Sequence, residues 1–236
     1  MLVDAVKLRW HLDLAAHPST HAWVLNLYRA GEKHPETVTD YFPWRHAEDR
    51  WPELARALKR HAGDERKHAV LYARAIEAMG EEVVELEGLD VFNHAIRAET
   101  PSSWAIADGD PPERKRLQIA NFLAHAGCLE RRIARSVAYH LEACEKLGRH
   151  DVTGTVERVH ADEERHVAYT SEALVELTTA SERARITALH VEAEARADRA
   201  FSARQVRTFL RRFGPSVPLS RRALYAACAL AMESRS

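Results

Sequence analysis

Apolar positions along this chain recur at the spacing of helices. Over residues 54–79 they are Leu54, Leu58, Tyr72, Ile76 and Met79, and over residues 152–177 they are Val152, Val156, Val159, Thr170, Leu174 and Leu177. Steps of three and four put each set on one helix face. A third stripe runs through Ile119, Leu123, Ala126, Ile133, Val137, Leu141 and Cys144, and predicts a helix from about Glu113 to Leu147. Glycine and proline set the ends. Pro52 suits a first helical turn, Gly80 and Gly148 suit stops, and Asp151 suits a cap for the next helix. Residues 1–33 read as one or two helices broken at Pro18. Beyond them Pro35 predicts a kink in a first helix that reaches about residue 42, followed by a Trp-rich, charged loop over Pro43–Trp51. A further helix is predicted over about Ser181–Phe213 and, after Gly214, Pro215 and Pro218, a short apolar one over Ser220–Met232.

Residues 81–112 carry Gly88, Pro101, Gly109, Pro111 and Pro112 and read as one long connection. Such a length predicts a crossover along a helical bundle rather than a hairpin turn. The expected fold is all-α. Residues 1–180 form its main unit, and two extra helices over 181–236 pack on that unit or on a partner.

Three of the stripes are interrupted by ionisable residues. His61, Glu65 and His68 stand in the first, Glu130 in the third, and Glu163 with His166 in the last. Burying such groups unpaired is costly, so their place in a core stripe needs a reason. Glu and His three residues apart project from one face and can grip one metal ion. Glu157 and His160 have the same spacing, yet they share the wet face with Thr153, Glu164 and Ser171 and read as surface. Glu130 precedes Glu163 by 33 positions, and Glu32 precedes Glu65 by the same 33. In antiparallel hairpins that register makes a lone acid face an E-x-x-H pair twice. Glu36, one turn beyond Glu32 and past Pro35, is the alternative first acid.

At these residues, over about 17–178, the sequence resembles the ferritin-like di-iron carboxylate superfamily. The resemblance implies a four-helix bundle with two metal ions at its centre, iron or an iron–manganese pair. It implies Glu32 and Glu130 as terminal carboxylates, Glu65 and Glu163 as bridging ones, and His68 and His166 as the imidazole ligands. Asp64 and Asp162, each preceding a motif Glu, match the family acids that hydrogen-bond the ligand histidines. The spacing His61-x-x-x-Glu65-x-x-His68 resembles that of di-iron N-oxygenases, in which an additional histidine joins the metals. The bland alternative for His61 is a core-edge histidine bonded to a carbonyl.

The implied activity is that of an oxidase or oxygenase. It activates dioxygen to hydroxylate, desaturate or N-oxygenate a small, carrier-linked or tRNA-linked organic substrate, with an external electron donor. The alternative is a ferroxidase or iron-storage protein. Tyr28, Tyr72 and Tyr169, one turn from the motif residues, read as core aromatics, with proton or electron relay as the other reading. Ala30, Gly31, Ala126 and Gly127 beside the lone acids leave room for substrate or permit close helix approach.

Composition changes this picture little. The 236 residues carry a formal net charge of −1, which argues against a chain devoted to nucleic acid. Cys128, Cys144 and Cys228 have no C-x-x-C spacing, so neither a disulfide framework nor a rubredoxin-type iron site is expected. No run is long enough to span a membrane, and cytoplasmic residence is the default expectation. Charge is uneven, however. Ala200–Arg222 holds six Arg and no acid, so Arg204, Arg207 and Arg211 can receive an acidic partner, while residues 77–99 are acid-rich. Val206, Phe209, Leu210 and Phe213 line one side of the basic helix, which therefore docks on something. The short apolar helix after it suits a homodimer contact or a lid.

Overall fold

Prolines and glycines divide the chain into helices much as the pattern predicts. The computed structural model describes residues 2–100 and 104–234, and every regular element among them is helical. The α-helices are α1 (Leu2–Ala15), α2 (Pro18–Lys33), α3 (Pro52–Ala78), α4 (Phe92–Glu99), α5 (Pro112–Lys146), α6 (His150–Leu177), α7 (Ala180–Phe213) and α8 (Leu219–Glu233). Pro18, Pro52 and Pro112 open their helices, where the missing N–H would have had no intrahelical partner. Gly80 and Gly148 follow α3 and α5 with φ of 75° and 65°, a conformation that side chains with a Cβ rarely adopt. Thr179 and Glu182 form a reciprocal capping box at the start of α7, worth about 1 kcal/mol.

Two expectations are corrected and one is refined. The first helix does not continue kinked to residue 42. It ends at Lys33 and tightens into a 3-10 turn over His34–Thr37, where Pro35 cannot supply the next helical hydrogen bond. Asp151 does not cap α6. Arg149 is the residue at the cap, and Asp151 sits inside the first turn in an ion pair with it, at 2.9 Å. The connection after α3 is not free of helix, because α4 buries Phe92, Ala95 and Ile96 against Leu129 and Ala197. Eight residues are too few to stand out as a periodic stripe. Pro101, part of the same connection, lies outside the described residues.

Contacts fix how the long helices run. Tyr28 meets Tyr72 at a ring separation of 5.6 Å and Glu32 meets His68, so α2 and α3 are antiparallel. His61 meets Tyr169 and His68 meets Asp162, so α3 and α6 are antiparallel as well. Arg116 donates to the Leu177 carbonyl, and a Cβ on Gly127 would lie 3.1 Å from Thr170 Oγ1, which sets α5 against α6 in the same sense. Asn26 pins the start of the long connection to α2. Its Nδ2 donates to the Glu82 carbonyl at 3.1 Å, and its Oδ1 accepts from the Val84 N–H at 2.8 Å.

The apolar side of α7 is covered within the chain. Val206 and Phe209 join Leu14, Trp23 and Val24 from α1 and α2, with Tyr225 and Ala229 from α8. Part of the uneven charge is likewise used internally. Arg207 bonds Glu233, Glu85 takes Arg29 and Lys33, and Glu99 takes Arg196. Among the described residues no helix is long and apolar enough to cross a membrane.

Candidate metal centre

Four helices bring their ionisable residues to one place. Glu32 comes from α2, His61, Glu65 and His68 from α3, Glu130 from α5, and Glu163 with His166 from α6. All are buried, the four carboxylates being 3, 6, 3 and 0% exposed in chain order. Two sets of four converge within 4.8 Å: His61, Glu65, Glu130 and His166, and Glu32, Glu65, His68 and Glu163. Glu65 belongs to both. Glu163 also faces both, its oxygens lying 3.3 Å from His68 Nδ1 and 3.4 Å from His166 Nδ1. Glu36 is exposed and lies outside both groups, whereas Glu32 belongs to one of them. Glu157 is exposed and His160 half-buried, outside the cluster.

His61 is part of this cluster. Its Nε2 lies 3.2 Å from Glu65 and 3.3 Å from Glu130, while its Nδ1 is 2.7 Å from the Tyr169 hydroxyl. Its ring stacks on that of His166 at 3.7 Å. Phe42, from the loop after α2, closes over it with ring centres 4.7 Å apart.

Each histidine is oriented from behind. Asp162 Oδ2 is 3.1 Å from His68 Nε2, and Asp64 Oδ2 is 3.6 Å from His166 Nε2. The acid before each motif therefore serves the histidine of the other motif. A carboxylate at Nε2 favours the proton there, so Nδ1, which faces the cluster, is the nitrogen that would give up its proton to an ion. Sequence reasoning missed the cations that steady these acids. Lys67 reaches Asp64 at 2.9 Å, and Arg165 reaches both Asp162 and Asp64. The signal was available, since both motifs read Asp-Glu-x-basic-His.

The electrostatics are those of a centre built for positive charge. Burial, with Glu32 beside it, pushes the Glu65 carboxyl well above the usual range. Burial, with Glu163 beside it, pushes Glu130 up to about 7. Burial opposes a charge on His68, but the Glu163 and Glu32 carboxylates outweigh it and push His68 up to about 12. In each case the neighbouring carboxylates raise the affinity of the buried group for a proton, as they would for another cation.

Protons do not satisfy the cluster. His61 Nε2, Glu65 Oε1, Glu130 Oε2, both Glu163 oxygens and both His166 nitrogens are buried without a hydrogen-bond partner, although several lie close together off the line a bond requires. Four carboxylates and three imidazoles form a hard, mixed oxygen and nitrogen donor set suited to iron or manganese. Metal ions would satisfy these lone pairs together.

The remaining residues divide. Tyr72 is fully buried and its hydroxyl has no partner, Tyr28 bonds Ser136, and Tyr169 bonds His61. Gly127 permits the close approach of α6 noted above, and it also lines a cleft of about 200 Å³ with Leu123, Thr170, Leu174 and Arg131. Gly127 precedes Glu130 by three residues and Thr170 follows His166 by four, while none of the cluster's own residues lines the cleft. Comparison of the chain with known protein families, with curated proteins and with solved structures finds no match.

Proposed function

We propose that α2, α3, α5 and α6 form a ferritin-like four-helix bundle that holds two transition-metal ions, iron or an iron–manganese pair, and oxidises an organic substrate. The observation that carries this reading is the convergence of four buried carboxylates and three imidazoles whose inward atoms lack other partners. Glu32, Glu65, Glu130 and Glu163 would hold the ions together with His61, His68 and His166, Glu65 being common to the two groups. Bound metal supplies activation of dioxygen, with electrons from an external donor.

The chain's own groups do the rest. Asp162 holds a proton on the outer nitrogen of His68, and the Asp64 charge, 3.6 Å from the outer nitrogen of His166, favours a proton there. Tyr169 and His61 share a proton across their 2.7 Å contact, which sets the imidazole face turned to the carboxylates. Phe42 and the neighbouring Tyr41 keep water from that side. The cleft beside Gly127 and Thr170 gives a small substrate a place, with Arg131 and Arg183 on its lining to meet a negative group. The place of His61 favours N-oxygenation among the oxidations considered.

The test is metal content after anaerobic loading with ferrous ion, in the unaltered chain and in Glu163→Ala. About two ions per chain, halved or lost in the variant, supports the reading. Failure of the unaltered chain to take up any transition metal sinks it. Ferrous oxidation by a cage-sized assembly without substrate turnover would mark iron handling instead.

A further inference from the structure

A second group of metal-binding side chains lies outside the centre described above. His21 stands in the first turn of α2, and His140 and Cys144 stand one turn apart on α5. All three are fully buried. His21 Nε2 is 3.0 Å from His140 Nε2 and 3.7 Å from Cys144 Sγ, and the three donor atoms lie within 4.8 Å of one another. From these contacts we infer a separate site for one thiophilic d10 ion, Zn²⁺ or Cu⁺, held by His21, His140 and Cys144.

The spacing suits such an ion. With bonds of about 2.0 Å to imidazole and 2.3 Å to thiolate, tetrahedral edges are about 3.3 Å between nitrogens and 3.5 Å between nitrogen and sulfur. The observed separations differ from these by a few tenths of an ångström. The ring behind is also in place, because His11 Nδ1 lies 3.4 Å from His140 Nδ1. With a metal on Nε2, His140 keeps its proton on Nδ1 and donates it to His11, as metal-bound histidines commonly do. Burial, helped by the Arg149 charge, holds His21 down to about 4, so its ring is neutral with a free lone pair. Burial also pushes the Cys144 thiol up to about 12, so the thiolate forms only as metal displaces its proton.

Softness and charge narrow the choice. A thiolate in the donor set turns the site away from the hard ions that suit the carboxylate cluster. With one thiolate, Cu⁺ gives a neutral buried unit, whereas Zn²⁺ leaves one positive charge in a dry place near Arg149, itself paired with Asp151. The charge count therefore favours Cu⁺. His21 precedes Glu32 by 11 residues and His140 follows Glu130 by 10, so this site lies about 15 Å along the same two helices from the first. An ion there would clamp α2 to α5 beyond the carboxylate cluster.

The experiment titrates the anaerobic 236-residue chain with Cu⁺ and, separately, with Co²⁺ as a spectroscopic stand-in for Zn²⁺. The readout is the near-ultraviolet thiolate-to-metal charge-transfer band, which the cysteine-free carboxylate cluster cannot give. The band is expected to saturate at one ion per chain, to survive in Glu163→Ala and in the Cys128→Ser/Cys228→Ser double variant, and to vanish in Cys144→Ser and His140→Gln. Whichever ion saturates first identifies the occupant. Absence of the band with both ions, or its persistence in Cys144→Ser, overturns the site. If Cys144→Ser fails to fold, His21→Asn decides in its place, and an unchanged band there overturns the site equally.

Discussion

Asp162 Oδ2 lies 3.1 Å from His68 Nε2, although the two residues belong to different motifs and are separated by 94 positions in the chain. This crossed support ties α6 to α3 at the level of the cluster. Asp162→Asn keeps the shape and removes the charge, so the outer proton of His68 is held less firmly. Metal affinity is expected to fall about 10–100-fold while the fold persists. Isothermal titration with Mn²⁺, alongside circular dichroism, checks both halves. Unchanged affinity would show that the contact does not govern the histidine.

His61 is expected to act as a ligand. Its Nε2 lies within 3.3 Å of two carboxylates, and its other nitrogen is occupied by Tyr169. His61→Leu should therefore lower the metal count from about two toward one per chain, because one of the two ligand sets loses a donor. Tyr169→Phe leaves that donor in place and should retain both ions. Metal analysis of the two variants separates ligation from packing, since a core-edge histidine would leave the count unchanged in both.

How much of this could be read from the chain follows from what kind of physics each feature obeys. The long helices and their ends were legible, because apolar spacing, Pro52, Gly80 and Gly148 act locally. The convergence of Glu32, Glu65, Glu130 and Glu163 was legible because equal separations in sequence become equal heights in antiparallel helices. Phe42 was not, because it reaches His61 only after the chain leaves the helical path at Pro35. His21 and Cys144 were not either, since 123 residues separate them and nothing repeats that spacing. The role of Arg165 lay in view but needed the crossed acids to give it meaning.

The C-terminal helix is held by a buried anchor. Tyr225 donates to Asp13 Oδ2 at 2.6 Å, and Arg221 pairs with the other oxygen of the same carboxylate. Asp13→Ala leaves a buried hydroxyl and a partly exposed guanidinium without their acceptor. With the exposed part of that pair discounted, the loss is expected to be about 2–4 kcal/mol. Thermal unfolding measures it, and limited proteolysis should release α8 before the rest. A stability change within about 0.5 kcal/mol, the usual size for an inert surface substitution, would mean that the apolar contacts of Phe209 and Tyr225 hold α8 unaided.

Metal binding should depend on pH in a direction set by Glu130. Burial and the neighbouring Glu163 push its carboxyl up to about 7, so below that value a proton competes with the ion. Glu65, raised for the same reason with Glu32 beside it, adds to the competition. Affinity for Mn²⁺ is then expected to fall about tenfold per pH unit for each proton displaced, as the pH drops from about 7 toward 5. Stability follows with the matching sign. A carboxyl raised in the folded chain favours folding while it is protonated in both states, and that contribution fades as the pH rises through about 7. The ion replaces the proton in that range, so the increase in Tm on adding Mn²⁺ should widen between pH 5 and about 7.5. Scanning calorimetry with and without Mn²⁺ across this range measures the difference directly, and the other titrating groups cancel where the metal does not touch them. A metal-induced increment that shrinks as pH rises would place the ion somewhere other than among these carboxylates.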